Sequence, residues 1–373
     1  MIKTTAINLV KDTYPMLISW DIGKRCNLDC TYCEASRHNN FSPHTSLEDL
    51  IKTFEFAKKW ANIYNSRRIN APNAIEMNFT GGEPTNNPNF WKLVEHIKSS
   101  EGNYWLGLTT NGTWGKNQIA NIVKNFGSAT ISYHCEADKT LRDRTLKNIV
   151  ELHSKGVSIQ VNVMLHTDLW NIAMDACEFL DNNNINYIPT PIGDGPTDTS
   201  VWALDANGTF RRTAHIYTPE QQQWFFNKMN INSSTVEDRV GNKLGRTCCG
   251  GRCLTGKVDG EWQEVKLVNT EFHGWNCMVD WFFLHIDQEL KQVFHHQTCQ
   301  ATHNKRGPIG TLDDTESMLV DLEQRMNSPA INPIVCPNQR CGCGMCIPKA
   351  KNMDDFKIIW AATTNVPIRE KLT

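Results

Sequence analysis

Three cysteines stand close together in the segment CNLDCTYC, residues 26–33, as Cys26, Cys30 and Cys33. They make a poor disulfide pattern, because three is an odd number and thiols in one tight loop are badly placed to pair. A mononuclear zinc site would need a fourth ligand nearby, and none follows at the spacing of a zinc ribbon or finger. Three thiolates and one open position suit an iron–sulfur cluster whose fourth iron binds something else.

The composition of the chain is that of an ordinary globular protein. Its 373 residues are too many for one small core, so we expect one domain of about 200 residues and a smaller second region. The hydrophobic content of 40% and the charged content of 21% are unremarkable. A formal net charge of −2 gives no overall reason to expect a polyanion partner, so no nucleic acid is predicted.

The N-terminal segment MIKTTAINLVKDTYPMLISW lacks the features of a secretory signal, and no apolar run approaches the roughly 20 residues of a membrane span. The sequence therefore predicts a cytoplasmic protein without a membrane partner. A reducing compartment disfavours structural disulfides, which shifts the expected use of the 14 cysteines towards metal ligation or catalysis.

Short apolar runs alternate with helical patterns over the first 190 or so residues. The predicted strands are 16–23, 74–79, 104–110, 128–134, 157–165 and 185–192. The predicted helices are 46–64, 88–99, 116–126, 139–156 and 167–184, the first opened by a capping box of Ser46 with Asp49 and the fourth stopped by Gly156.

Six strands alternating with five helices require a parallel sheet with right-handed crossovers. We predict an α/β fold built as a partial parallel (β/α)6 TIM-like barrel with a cysteine-rich C-terminal extension; a flat doubly wound sheet is the alternative. The clustered cysteines follow the first strand, where either architecture places its active site.

The pattern changes after residue 193. A helix is predicted at 218–230 with Pro219 in its first turn, and a hairpin at 281–299. The predicted division of the chain is 1–193 for the partial barrel, 194–247 for a connecting segment and 248–373 for the cysteine-rich region.

The cysteine loop, with Tyr32 directly before its last cysteine and a strand before its first, resembles the signature of the radical S-adenosylmethionine (SAM) superfamily. FTGGEP, residues 79–84, follows the second strand as the glycine-rich motif of that family does. The resemblance implies a [4Fe–4S] cluster on Cys26, Cys30 and Cys33 whose open iron binds the amino and carboxylate groups of SAM. The implied SAM-binding residues are Gly81, Gly82 and Glu83 at the methionine end, Tyr32 against the adenine, and Thr110, Asn111, Ser132 and Asn162 at strand ends or on a strand.

The C-terminal cysteines resemble the SPASM or shorter twitch extension of radical SAM enzymes, although the tight CGC departs from the full SPASM spacing. This resemblance implies one or two auxiliary iron–sulfur clusters; a zinc ribbon-like site is the alternative. The candidate ligands are Cys277, Cys299, Cys336, Cys341, Cys343 and Cys346.

A further group of thiols lies at Cys248, Cys249 and Cys253. They could bind a second auxiliary cluster, or Cys249 and Cys253 could return a hydrogen atom to a substrate radical, as in some radical SAM epimerases. The plain alternative is a glycine-rich loop with incidental thiols.

The family resemblance implies that the enzyme cleaves SAM reductively to a 5′-deoxyadenosyl radical, which abstracts a hydrogen atom from the substrate. An external one-electron donor such as flavodoxin or ferredoxin is implied as a partner. The auxiliary-cluster type favours a peptide or protein side chain, as in maturases of ribosomally made peptides. The short segment before the first strand leaves no room for a leader-binding domain, so a sugar, nucleotide or amino acid is the alternative. A non-enzymatic iron–sulfur or zinc protein is an alternative of another class.

Overall fold

The structure is a computed structural model. It describes residues 4–9, 15–33, 38–192, 217–228, 254–265, 272–296, 307–327, 333–336 and 347–366.

The described strands belong to two sheets. The first seven in chain order are β1 (Thr4–Leu9), β2 (Met16–Asp21), β3 (Ile75–Thr80), β4 (Tyr104–Thr110), β5 (Ser128–Tyr133), β6 (Ser158–Leu165) and β7 (Tyr187–Pro191). The others are β8 (Leu254–Val258), β9 (Glu261–Val265), β10 (Asn276–Cys277), β11 (Phe283–Asp287), β12 (Gln292–Phe294), β13 (Gly310–Thr311), β14 (Ile334–Val335) and β15 (Lys349–Ala350).

Helices connect the parallel strands. They are α1 (Leu47–Arg67), α2 (Phe90–Ser99), α3 (Lys116–Asn125), α4 (Lys139–Ser154), α5 (Trp170–Asn182), α6 (Pro219–Lys228), α7 (Val279–Phe282), α8 (Thr315–Asn327) and α9 (Met353–Thr363), with 3₁₀ turns at Pro84–Asn86 and Leu312–Asp314. The predicted cap of α1 is confirmed, since the Ser46 hydroxyl accepts from the Asp49 backbone N–H at 3.1 Å. Gly156 follows α4 with a φ of 79°, the left-handed conformation expected there.

Within the described residues, the larger sheet has nine strands in the order β13-β12-β11-β2-β3-β4-β5-β6-β7. All six predicted strands, β2 to β7, are parallel neighbours in chain order, which confirms the α/β prediction. The described strands run from one edge to the other without closing, so the sheet is open.

Several strands of this sheet alternate between a buried apolar face and a half-buried polar face. On β2 and β3, Ile18 and Met77 are fully buried, whereas their neighbours Ser19 and Asn78 are partly exposed. The same alternation continues on β5 and β6. The polar face and the carboxyl ends of the strands are therefore the surfaces on which chemistry can take place.

The predicted hairpin at 281–299 is confirmed as β11 and β12, which pair antiparallel. Strand β11 also lies parallel to β2, so a strand from the C-terminal region extends the N-terminal sheet. The smaller sheet has six described strands in the order β14-β10-β15-β1-β8-β9, which places the N-terminal β1 between C-terminal strands. The two ends of the chain are thus joined by backbone pairing.

Asp355, at the start of α9, links three parts of the smaller sheet region. Its carboxylate accepts from the Lys257 ammonium at 2.6 Å, the Thr5 hydroxyl at 3.0 Å and the Asn352 amide at 3.0 Å. Burial alone would raise the pKa of this carboxyl, but these hydrogen bonds outweigh it and hold the pKa below its ordinary value. The ionised form therefore stabilises the fold.

Changing Asp355 to Ala is expected to lower the free energy of unfolding at pH 7 by about 2 kcal/mol, because Lys257, Thr5 and Asn352 lose a charged acceptor. Since the folded pKa is depressed, the contribution of Asp355 is complete above the unfolded pKa of about 3.9 and disappears as the pH falls through the folded value. Urea unfolding at neutral and acidic pH measures both effects. The exposed neighbour Asp354→Ala is the control; an equal loss in the two variants would contradict the prediction.

No helix among the described residues is long and apolar enough to cross a membrane.

Candidate functional site

The cysteine loop, residues 26–33, begins shortly after β2 at the carboxyl edge of the parallel sheet. Cys26, Cys30 and Cys33 form no disulfide, with Cys30 buried and the other two partly exposed. At the start of the loop the Cys26 N–H donates to the Asn39 carbonyl at 2.7 Å. At its end the Cys33 N–H donates to the Cys30 carbonyl at 3.0 Å, which forms a turn. The three predicted ligands thus lie on one eight-residue loop at this edge of the sheet.

The electrostatics of the loop disfavour three bare thiolates. Burial raises the pKa of Cys30 to about 12, against a hydrogen bond with Tyr32, and negative charge on Glu136, Cys26 and Cys33 would raise it further. Burial also raises the pKa of Cys26. In the described part of the chain no three cysteine, histidine or carboxylate side chains are already arranged to hold a metal ion.

Nevertheless, the donors fit an iron–sulfur cluster in type and number. Three thiols lie close enough to affect one another's ionisation, so positive iron is what would stabilise them as thiolates. A three-cysteine set also leaves one iron free for another ligand, which is the property on which SAM chemistry depends.

The first half of the cysteine loop is held from the end of β4. The Asn111 amide donates to the Asn27 side-chain oxygen at 2.8 Å and approaches the Cys26 sulfur at 3.8 Å. The Asn27 amide in turn donates to the Thr113 hydroxyl at 2.8 Å. Asn111, predicted to contact SAM, therefore lies at the site and positions the loop.

The second half is held from the end of β5. His134 lies within hydrogen-bond distance of the Tyr32 hydroxyl and at 3.3 Å from the Cys30 sulfur. Burial lowers the pKa of His134 to about 4, so its imidazole is neutral. The Tyr32 ring, predicted to lie against adenine, stacks on the His134 ring with centroids 6.0 Å apart and meets the His166 ring edge-on.

The glycine-rich motif packs against the chain that leads into the cysteine loop. A Cβ on Gly82 would lie 2.3 Å from the Lys24 carbonyl oxygen, and one on Gly81, whose φ is 117°, would lie 2.5 Å from the Gly23 oxygen. The Gly82 N–H donates to the Gly23 carbonyl at 2.8 Å. Both glycines were predicted to bind SAM; the described close contact is with the protein's own chain.

Glu83, predicted near the methionine end of SAM, is 3% exposed. Its carboxylate accepts hydrogen bonds from other groups of the protein. It accepts from the Thr85 hydroxyl at 2.6 Å, the Thr110 hydroxyl at 2.9 Å and the Asn111 N–H at 2.8 Å. Burial raises its pKa, while these hydrogen bonds oppose the rise. Glu83 thus ties the glycine-rich motif to the end of β4.

Ser132 and Asn162 are register partners on β5 and β6 and lie on the half-buried polar face. The Asn162 oxygen accepts from the Gln160 amide at 3.2 Å. Both predicted SAM contacts therefore share one surface, a few residues before the strand ends that hold the cysteine loop.

Of the C-terminal cysteines, the structure describes Cys277 and Cys336. Cys277 pairs with Ile334 on one side and Lys349 on the other, and the Cys336 N–H donates to the Trp275 carbonyl at 2.9 Å. The other predicted ligands and thiols lie outside the described residues: Cys248, Cys249, Cys253, Cys299, Cys341, Cys343 and Cys346.

Several residues at the site carried no sequence-based prediction. His134 and Glu136 directly follow β5, His166 directly follows β6, and Asn27 lies inside the loop. Their position after strands was visible in the sequence, but which of many polar strand-end residues reach the loop depends on the sheet order.

Together, the fold and the site define an α/β protein that presents three thiols at the carboxyl edge of a parallel sheet. Residues 20–203 match the family model of the radical SAM superfamily. Residues 20–203 thus form a radical SAM domain, and the chain is an enzyme.

The curated relatives it matches include GTP 3′,8-cyclases. That of Staphylococcus epidermidis is 26% identical over 172 residues, covering 43% of this chain and 49% of the relative. That of Haemophilus ducreyi is 31% identical over 87 residues, covering 23% of each. The chain thus spans half or less of the length of these two relatives.

Solved structures with a similar arrangement include anSMEcpe with bound AdoMet, at 14% identity and a TM-score of 0.47, covering 82% of this chain and 81% of that one. Another is SuiB of Streptococcus suis bound to the precursor peptide SuiA, at 13% identity and a TM-score of 0.45, covering 96% and 76%.

Proposed function

We propose that this enzyme binds a [4Fe–4S] cluster through Cys26, Cys30 and Cys33 and cleaves SAM reductively to abstract a hydrogen atom from its substrate. The observation that carries the proposal is the set of three thiols in one loop at the carboxyl edge of a radical SAM domain. When bound, the cluster and SAM supply the electron and the hydrogen-abstracting radical. An external donor such as flavodoxin or ferredoxin would reduce the cluster beforehand.

The chain's own residues would position these groups. Asn27 and Asn111 would fix the first half of the cysteine loop, and Glu83 would hold the glycine-rich motif against the end of β4. The polar face that bears Ser132 and Asn162 would orient SAM, with Gly81, Gly82, Thr110 and Tyr32 nearby. This face would lie inside a sheet curled as the partial barrel that the sequence predicts.

The proposed substrate is a peptide or protein side chain. The seven parallel strands, β2 to β7 and β11, contain no lysine or arginine, whereas they carry the carboxylates of Asp21, Glu76 and Asp287. Between these, the partly exposed side chains are largely hydroxyls and amides, such as Asn78 and Thr109, which lie 3.2 Å apart. Such a surface suits amide groups and repels a polyphosphate.

A small-molecule substrate is the second candidate, and the observation that favours it is the similarity to GTP 3′,8-cyclases. A substrate of that kind would need cations from parts of the chain other than the parallel strands.

The C-terminal region is proposed to hold one or two auxiliary iron–sulfur clusters. Support comes from Cys277 and Cys336, which belong to neighbouring backbone segments: the Gly274 N–H donates to the Cys336 carbonyl at 2.8 Å, and β10 pairs with β14. Cys299, Cys341, Cys343 and Cys346 complete the proposed ligands, and Cys249 and Cys253 are the proposed hydrogen-atom donors. The division at residues 193 and 248 also stays a proposal.

Deuterium transfer tests the substrate class. The reconstituted enzyme is incubated with SAM, a reductant and either a deuterated pool of short peptides or deuterated GTP, and the 5′-deoxyadenosine is analysed by mass spectrometry. We expect deuterium from the peptides and none from GTP, because the strands offer no cation to a triphosphate. Deuterium from GTP together with a cyclised nucleotide would overturn the peptide proposal in favour of the second candidate.

A further inference from the structure

Glu136 makes a two-point contact with the cysteine loop. One carboxylate oxygen accepts from the Thr31 backbone N–H at 2.8 Å, and the other accepts from the Thr31 hydroxyl at 2.6 Å. The second oxygen also lies 3.2 Å from the His166 ring nitrogen Nε2. Glu136, which follows β5, therefore binds the cysteine loop, and His166, which follows β6, contacts the Glu136 carboxylate.

Thr31 follows Cys30 and lies two residues before Cys33, so its backbone orientation sets the direction in which both thiols point. A backbone N–H and a side-chain hydroxyl held by one planar carboxylate fix that peptide in position and rotation together. Asn27 fixes the other half of the loop through Asn111, as described above. The loop is therefore fastened on both sides of Cys30.

The charge of Glu136 opposes the ionisation of the thiols, because a carboxylate beside thiolates repels them. The benefit of Glu136 to a cluster site must therefore be geometric. The geometric and the electrostatic effects of Glu136 can be separated by substitution. Glu136→Gln keeps an acceptor for the Thr31 N–H and removes the repulsion, whereas Glu136→Ala removes both the acceptor and the repulsion.

We propose that Glu136 is a positioning residue for the iron–sulfur cluster, acting through Thr31 and itself oriented by His166. The inference rests on the proposed cluster at Cys26, Cys30 and Cys33. It concerns a contact at the loop and leaves the identity of the substrate open.

The test compares Glu136→Ala, Glu136→Gln, Thr31→Val and the Thr31→Val/Glu136→Ala double variant of the full chain, with exposed Glu178→Ala on α5 as the control. Each is reconstituted anaerobically, and the rate of iron release to a chelator and the reduction potential of the cluster are measured. Circular dichroism on heating reports whether each variant is folded.

Glu136→Ala is expected to release iron roughly 10-fold to 100-fold faster than wild type, as for other residues that orient metal ligands. The iron-release rate of Thr31→Val should lie between those of wild type and Glu136→Ala. The double variant should release iron no faster than Glu136→Ala, because both changes break the same contact. Glu136→Gln should keep most of the iron and show a higher reduction potential, since a negative charge is lost.

The inference would be overturned if Glu136→Ala released iron at the wild-type rate, or if the two changes accelerated iron release additively in the double variant. The proposed function would remain intact. A wild-type protein that takes up no cluster would instead refute the proposed function. If Glu136→Ala fails to fold, Thr31→Val and Glu136→Gln decide the matter alone, since neither removes buried volume on the scale of the alanine change.

Discussion

Changing Cys26, Cys30 and Cys33 together to alanine is expected to remove about four irons per chain and abolish SAM cleavage. The three thiols lie in one loop, and Cys26 and Cys33 both affect the ionisation of Cys30, so we expect them to act as one site. Iron and labile sulfide are measured after anaerobic reconstitution, and 5′-deoxyadenosine is assayed in parallel. Any iron that remains belongs to the proposed auxiliary clusters.

The matched control changes Cys135 and Cys177 to alanine. Both are buried free thiols of the same domain, and Cys135 lies just past β5, close to the site in sequence. They fill the core as small apolar residues, so their loss should cost some stability and no iron. Equal iron in the triple variant and in wild type would contradict the assignment of the loop.

Changing Gly82 to alanine is expected to have the second large effect. The added Cβ would lie 2.3 Å from the Lys24 oxygen and 2.5 Å from the Arg25 oxygen, both of them backbone atoms that cannot rotate away. The chain must therefore shift just before Cys26. We expect the free energy of unfolding to fall by about 3 kcal/mol, at the upper end for overpacked sites. We also expect the reconstituted variant to lack most of the cluster iron.

Urea unfolding and the iron content of reconstituted protein measure the two parts of this effect. Gly127→Ala is the control, because a Cβ there would meet nothing within 4 Å. Wild-type stability and iron content in Gly82→Ala would show that the close approach of the glycine-rich motif to residues 24–25 does not shape the cysteine loop.

The parallel part of the fold could be predicted from sequence because each element carries its own local pattern. Strands β2 to β7 are short apolar runs rich in branched or aromatic residues, and α1 and α4 carry recognisable ends at Ser46 and Gly156. Strand β11 joining β2, and β1 lying between β8 and β15, could not be predicted, because pairing between distant segments has no local signal.

The candidate site, too, could be predicted only in part from the sequence. The thiols and the glycines were visible because their residue types and spacing are unusual. Glu136 and Asn27 are ordinary polar residues, and they acquire a role because the order of β4, β5 and β6 brings their partners to the loop. Glu83 was placed near a ligand on resemblance, whereas its burial and its bonds to Thr110 and Asn111 depend on how the motif folds.

The most direct test of the central claim is the formation of 5′-deoxyadenosine and methionine from SAM by the reconstituted wild-type enzyme under a low-potential reductant. The account predicts both products in equal amounts, dependent on the reductant and absent in the triple cysteine variant. Products that appear equally in the triple variant, or a fully iron-loaded wild type that binds SAM and leaves it intact, would contradict it.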